Sequence, residues 1–142
     1  MAQEPVLAGP SAALRVSVAV LGGLRLGIAG WAAVRARHVA DGVGVSADQR
    51  EAAVPYVRAL ALRELVIGVG ALAAYRRGTS GAFWVAAMAG SDAFDAVVYE
   101  LLAELGTLER AKARRSSWFA LSGAVPEALT AVALGRASRS HH

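Results

Sequence analysis

The chain has 142 residues, of which 56% are hydrophobic and 18% charged, with 15 glycines and no cysteine. An average soluble domain is about 45–50% apolar with glycine included, so this chain has more apolar sequence than a soluble domain of its length can bury. The composition excludes disordered, collagen-like and disulfide-stabilised proteins as well as thiol chemistry. It favours a single domain that hides its apolar surface elsewhere.

The formal net charge is +4, and the basic residues lie in short clusters between apolar runs. Because these clusters form no basic helix face interleaved with aromatic residues, we predict no nucleic-acid partner. Residues 1–10 have no basic n-region, so we expect no cleaved signal peptide. We interpret His141 and His142 as the remnant of a purification tag and assign residues 1–140 to one transmembrane domain.

Four long apolar segments, separated by short loops, cover residues 16–34, 54–75, 81–105 and 117–134. Each has about 18–25 residues, which is enough for a helix to cross a hydrocarbon core of about 30 Å. The sequence therefore predicts an all-α fold, an integral membrane four-helix bundle that is multi-pass in the cell membrane. The alternative is a soluble helical bundle, favoured by the charges inside the segments, but no segment has the broad polar face that such a helix needs.

The ends of the segments carry further signals. Residues 35–53 and 106–116 are predicted as loops, and Pro55 is predicted in the first turn of the second helix, where its missing N–H costs nothing. Tryptophans near segment ends are typical of interfacial anchors. They are Trp31, Trp84 and Trp118.

Each segment also has ionisable residues close to its centre: Arg25 in the first, Arg63 and Glu64 in the second, Asp92 and Asp95 in the third, and Glu127 in the fourth. A charge facing lipid is costly, so all four helices are expected to turn these residues inward, into one cluster near the membrane midplane. Four acids face two arginines there. We therefore expect at least one carboxyl to be protonated at neutral pH, because clustered carboxylates in a low-dielectric site cannot all ionise.

A protonated acid beside ionised acids and fixed arginines supports general acid/base chemistry. We predict Asp92 and Asp95 as the residues that transfer protons and Glu64 and Glu127 as further acid/base candidates. Four more residues are candidates for orienting those acids or contacting a substrate: Arg25, Arg63, Tyr99 and Met88, the last two on the stripe of the third helix that carries both aspartates. We predict no cofactor and no metal, because the segments contain no histidine and the two arginines would repel a cation.

Three stretches, residues 23–27, 61–70 and 89–96, resemble a family of small four-span bacterial integral membrane proteins of unknown function. The resemblance covers the first three predicted helices. It implies the four-span architecture and a shared set of site residues, without an activity. The set is Arg25, Arg63, Glu64, Asp92 and Asp95.

The first function hypothesis is an enzyme acting on a lipophilic small molecule that enters from the lipid bilayer, by isomerisation, cyclisation or epoxide opening. Some soluble epoxide hydrolases use an Asp/Arg/Asp arrangement, an analogy only. The alternatives are a proton-coupled carrier, a non-catalytic accessory membrane subunit, and a cluster that only holds the helices together. A homodimer could form through a ridge of small residues on the first helix, Gly23, Gly27 and Gly30. An enclosed cavity open to lipid would favour the enzyme, and access to both aqueous sides the carrier.

Overall fold

The protein's architecture is known from a computed structural model, which describes residues 11–139. Within that range the chain is all-helical, which confirms the all-α part of the predicted fold. Residues 1–10 and the closing histidines lie outside the described residues. The helices are α1 (Ala12–Val34), α2 (Ala36–Val43), α3 (Arg50–Arg76), α4 (Ala82–Glu104) and α5 (Arg110–Arg139).

The four long helices form two tightly packed pairs, α1 with α3 and α4 with α5, which make few contacts with each other. Small residues allow the first pair to pack closely. A Cβ atom at Gly22 would lie 3.1 Å from the carbonyl oxygen of Gly68, so the two backbones nearly touch at this point. The predicted glycine ridge does not contribute to this contact, since a Cβ at Gly23, Gly27 or Gly30 would meet nothing within 4 Å.

One end of the bundle is closed by a buried apolar layer to which all four long helices contribute. Its members are Val18, Ile67, Ala71, Val85, Met88 and Leu134. The short link between α3 and α4 supports this layer, because Gly81 begins α4 with a φ of +67° and its Cα lies against Val18. This end therefore holds the two helix pairs together.

The other end is built differently, and here two sequence predictions are wrong. The predicted loop 35–53 contains helix α2, and α3 begins at Arg50, so Pro55 lies inside α3 instead of in its first turn. The reason is tertiary packing: Ala36 and Ala40 of α2 are buried in a small core against the start of α3.

Two further expectations about helix ends change. Helix α5 begins at Arg110, seven residues before the predicted segment, so part of the predicted loop 106–116 is helical. Trp31 and Trp118 are exposed, in agreement with a role at a membrane surface, whereas Trp84 packs against the backbone of Gly70. Trp84 thus contributes to packing inside the bundle.

Among the described helices, α1 and α5 are long and apolar enough to cross a membrane. Helices α3 and α4 are also long, but each carries two charges of the predicted cluster and further charges outside it, which lowers its hydropathy. The prediction of four spans therefore goes further than helix length and composition alone support.

The outer surface is apolar on α3 and α4 as well as on α1 and α5. Large hydrophobic side chains are exposed all along these four helices, whereas soluble monomers rarely expose contiguous apolar patches of such extent. Examples are Val20 and Leu24 on α1, Leu62, Leu65, Val66 and Val69 on α3, Phe94, Val97 and Leu101 on α4, and Phe119, Val125, Leu129 and Val132 on α5. The interior, in contrast, is mostly alanine, glycine and charged residues.

Candidate functional site

The ionisable residues from the centres of the four long helices meet in one buried cluster. The structure brings together all six of them: Arg25, Arg63, Glu64, Asp92, Asp95 and Glu127. Arg25, Glu64 and Glu127 are only 5%, 4% and 4% exposed. We refer to this group as the ion cluster.

Arg25 is the centre of the ion cluster and reaches one acid on each of the other three long helices. Its Nη1 atom donates to Glu64 Oε2 at 2.6 Å and to Asp92 Oδ1 at 2.8 Å. Its Nη2 atom donates to both carboxylate oxygens of Glu127, at 2.7 and 2.9 Å. Such charge-assisted bonds fix the planar guanidinium. Arg25 therefore fixes the positions of the four helices relative to one another along their axes.

Arg63 forms the second half of the ion cluster on the α3–α4 side. It binds Asp95 with two parallel bonds, from Nη1 at 2.7 Å and from Nη2 at 2.6 Å. Its Nε and Nη2 atoms also donate to Oε1 of the neighbouring Glu64, at 3.0 and 2.8 Å. Glu64 therefore bridges the two arginines, and Ser91 Oγ adds a longer bond of 3.4 Å to the same oxygen.

Asp92 differs from the other three acids. Each carboxylate oxygen of Glu64, Asp95 and Glu127 accepts a hydrogen bond from an arginine, whereas within residues 11–139 Asp92 Oδ2 accepts none. Oδ2 points at α5, where a Cβ atom on Gly123 would lie only 2.5 Å from it. Gly123 thus makes room for the one acid oxygen that has no donor.

A cavity of about 620 Å³ lies between the two helix pairs and has the ion cluster as its floor. This volume is in the range of small-molecule sites. The walls are largely apolar, with side chains from α1, α2, α3 and α5: Leu21, Leu24, Ile28, Val39, Val43, Val57, Leu60 and Phe119. The site therefore combines an apolar chamber with an acid-rich floor.

The cavity extends toward the α2 end, where Val39 and Val43 line it, and two of its other lining side chains are exposed. Leu24 and Phe119 line it and are 59% and 76% exposed, so the edge between α1 and α5 faces the surroundings of the bundle. Toward the opposite end, the buried apolar layer with Met88 and Leu134 separates the ion cluster from the α3–α4 link.

The two remaining predicted site residues have different positions. Tyr99 lines the cavity one to two turns from Asp92 and Asp95. The side chain of Met88 is fully buried in the apolar layer, and only its carbonyl oxygen contacts the cluster, accepting from Arg25 Nη2 at 3.4 Å. Met88 therefore does not face the cavity.

Sequence reasoning missed several residues of the site. The predicted site residues include neither Gly123 nor Ser91. Arg115 and Ser116 line the cavity, but they had been assigned to a loop because the start of α5 was placed at residue 117. The spacing of Ser116, Ala120, Gly123 and Glu127, which share one helix face, was the available signal.

Within the described part of the chain, no group of three or more His, Asp or Glu side chains is arranged to hold a metal ion. The acids of the ion cluster face guanidinium groups, which occupy the space that a cation would need.

Comparison with protein-family models, with curated proteins and with solved structures finds no match to this chain.

Proposed function

We propose that the protein is a four-span integral membrane protein of the bacterial cytoplasmic membrane, as the resemblance to small four-span proteins also implies. The distribution of side chains supports this location. In the central stretch of each long helix every ionisable residue belongs to the ion cluster, while leucine, valine and phenylalanine face outward. Lipid can cover such a surface without cost, and inward charges paired with each other avoid the penalty of facing hydrocarbon.

Single-cysteine labelling tests this location, because the chain has no native cysteine to remove. In intact membranes, cysteines in place of Val66 and Val97, on the outer faces of α3 and α4, should react poorly with a water-soluble maleimide. Cysteines in place of Thr79 and Thr107, in the two links, are the matched controls and should react readily from opposite sides. Equal labelling of all four positions would contradict the four-span arrangement.

Within the membrane, the function that the site supports best is acid/base catalysis on a lipophilic small molecule. The observation that carries this proposal is the floor of the cavity, where Asp92 has an oxygen without a donor beside three acids that arginines keep fully paired. With two arginines against four acids, Asp92 is the carboxyl best placed to keep a proton and to give it to a bound molecule.

Opening of an epoxide illustrates the chemistry. The protonated Asp92 donates its proton to the epoxide oxygen as the carbon–oxygen bond breaks. Asp95, three residues further along α4, accepts a proton from the water that attacks the carbon, and Arg63 holds Asp95 in place. Isomerisation or cyclisation of a polyene would use the same donor and acceptor, with proton gain at one carbon and proton loss at another.

The assay is turnover of lipophilic epoxides and polyenes by purified protein in lipid nanodiscs, followed by mass spectrometry in ¹⁸O-labelled water. Asp92→Asn should abolish product formation, because the amide cannot donate a proton of comparable acidity. Glu100→Gln changes an exposed acid on the same helix and serves as the matched control. Unchanged turnover in the Asp92→Asn variant would contradict the proposal.

A proton-coupled carrier and an accessory subunit have less support. The buried apolar layer closes one end of the bundle, so a carrier would need a second arrangement of the helices that opens this end. The cavity serves no purpose in a subunit that only holds its helices together. The homodimer through the outward ridge of Gly23, Gly27 and Gly30 stays a prediction.

A further inference from the structure

A second charged group lines the cavity, far from the ion cluster. Arg115, in the second turn of α5, contributes to the same wall as Phe119, Gly123 and Glu127. Among the described residues it has no acid partner, and every acid that lines the cavity belongs to the ion cluster. The cavity therefore has an unpaired cation at one end and an acid-rich floor at the other.

The distance between these two ends follows from the helix. Arg115 precedes Gly123, the contact of Asp92, by eight residues, which corresponds to a rise of about 12 Å along α5. Between them, α5 lines the cavity with Phe119 and Ala120 besides Ser116 and Ser122, and α2 adds the apolar side chains of Val39 and Val43. A molecule that satisfies both ends must therefore have an anionic group, an apolar chain and then its reacting group.

We propose that the ligand of this cavity is an anionic amphiphile, whose carboxylate or phosphate headgroup binds Arg115 and whose chain extends to Asp92. The inference rests on the proposed function for the reacting end of the molecule. Charge complementarity argues for the headgroup, since a guanidinium binds carboxylates and phosphates with paired hydrogen bonds. Ser116, next to Arg115 on the cavity wall, offers a hydroxyl donor to the same group.

Binding is measured by equilibrium dialysis of labelled decanoate, decyl phosphate and decanol against protein in phosphatidylcholine nanodiscs, with empty nanodiscs as background. The Arg115→Ala variant should weaken binding of decanoate or decyl phosphate about tenfold, because a charge-assisted contact is lost. It should not change binding of decanol. Arg114→Ala removes the neighbouring arginine, which does not line the cavity, and should leave all three affinities unchanged. Arg115→Lys keeps a positive charge and should restore part of the loss.

The headgroup that gives the larger Arg115-dependent difference identifies the ligand as a carboxylate or a phosphate amphiphile. Equal weakening in the Arg114→Ala and Arg115→Ala variants would overturn the proposal, because it would indicate only the general surface charge. Acetate or inorganic phosphate binding as tightly as the amphiphiles would overturn it as well, since the chain would then contribute nothing.

The same experiment separates the two proposals. Glu100→Gln, which changes an exposed acid on α4 outside the cavity, should bind decanoate or decyl phosphate normally, because Arg115 and the apolar wall are intact. Arg115-dependent binding without any turnover would leave this inference standing and remove the proposed catalysis. Turnover that depends on Asp92, combined with binding that ignores Arg115, would remove this inference alone.

Discussion

The two halves of the bundle, on either side of the ion cluster, are built from the same four helices and differ in how the helix pairs meet. In the half next to the α3–α4 link, the pairs touch across a buried apolar layer, and Gly22 and Gly68 bring α1 and α3 into backbone contact. In the half next to α2, each pair has its own small core, and a cavity lies between them.

The difference shows how a small helical protein forms a cavity between two helix pairs. We call the half next to α2, which contains the cavity, the open half, and the other the closed half. In the open half the two cores are joined near Val45, which contacts both and pairs with Leu108 in an isolated bridge. The backbone N–H of Glu109 also donates to the carbonyl of Gly44 at 2.8 Å. The link that follows α2 thus joins the two helix pairs at one end, while the apolar layer holds them together at the other.

The largest effect on the free energy of unfolding is expected at the ion cluster, where the two halves meet. Replacing Arg25 with methionine removes the partner of Asp92 and Glu127 and one partner of Glu64, leaving buried acids without compensation. Breaking a buried ion pair from one side costs about 3–5 kcal/mol, so the free energy of unfolding in detergent should fall by that amount or the protein should fail to accumulate.

Arg58→Met is the matched control for this variant, because Arg58 is an exposed arginine on α3 outside the ion cluster. Its free energy of unfolding should change by no more than about 0.5 kcal/mol. If both variants unfolded like the wild type, the apolar layer alone would hold the pairs together, and the ion cluster would not be the boundary between two halves.

A smaller effect on the free energy of unfolding is expected in the closed half, which contains the apolar layer. In Gly68→Ala the new Cβ would lie 2.9 Å from the carbonyl oxygen of Gly22, which forces α1 and α3 apart. Overpacking of this kind costs about 1–3 kcal/mol, against a gain of about 1 kcal/mol in helix propensity, so the variant should be destabilised by up to about 2 kcal/mol in detergent unfolding.

Gly23→Ala, on the outward face of α1, should raise the free energy of unfolding instead of lowering it. Its Cβ meets nothing within 4 Å, so only the propensity gain remains. A destabilised Gly23→Ala variant would mean that this face is covered by another molecule, as the predicted homodimer requires. A stabilised Gly68→Ala variant would contradict the close contact in the closed half.

These contrasts also show why part of the molecule could be predicted from the sequence. A charge in the middle of an apolar helix has almost no position except the interior, so the matching depths of Arg25, Glu64, Asp92 and Glu127 were enough to predict that they meet. The residues that belong to the ion cluster can therefore be predicted from the hydropathy of the sequence alone.

The cavity could not be predicted in this way. Its existence depends on α2, a helix of eight residues that is too short to be stable alone and forms because Ala36 and Ala40 pack against α3. Gly44 ends the helix with a φ of +98°. Tertiary packing against α3 thus supplies a helix inside the predicted loop 35–53.

The smallest effect on the free energy of unfolding, together with a large loss of turnover, is expected for a substitution at Gly123, beside the ion cluster in the open half. In Gly123→Ala the new Cβ would lie 2.5 Å from Asp92 Oδ2, so the carboxyl must turn away from α5. Because an exposed part of the cavity can take up this movement and alanine favours the helix by about 1 kcal/mol, the free energy of unfolding should change little. Turnover that depends on Asp92 should nevertheless fall steeply, since misplacement of a reacting group by about 1 Å can cost about a hundredfold in rate.

Gly135→Ala, on the same helix with open space around its Cβ, is the matched control and should be as stable as the wild type and fully active. If Gly123→Ala kept its activity, the donor-free oxygen of Asp92 would not be the atom that transfers the proton, and the paired Asp95 would become the better candidate.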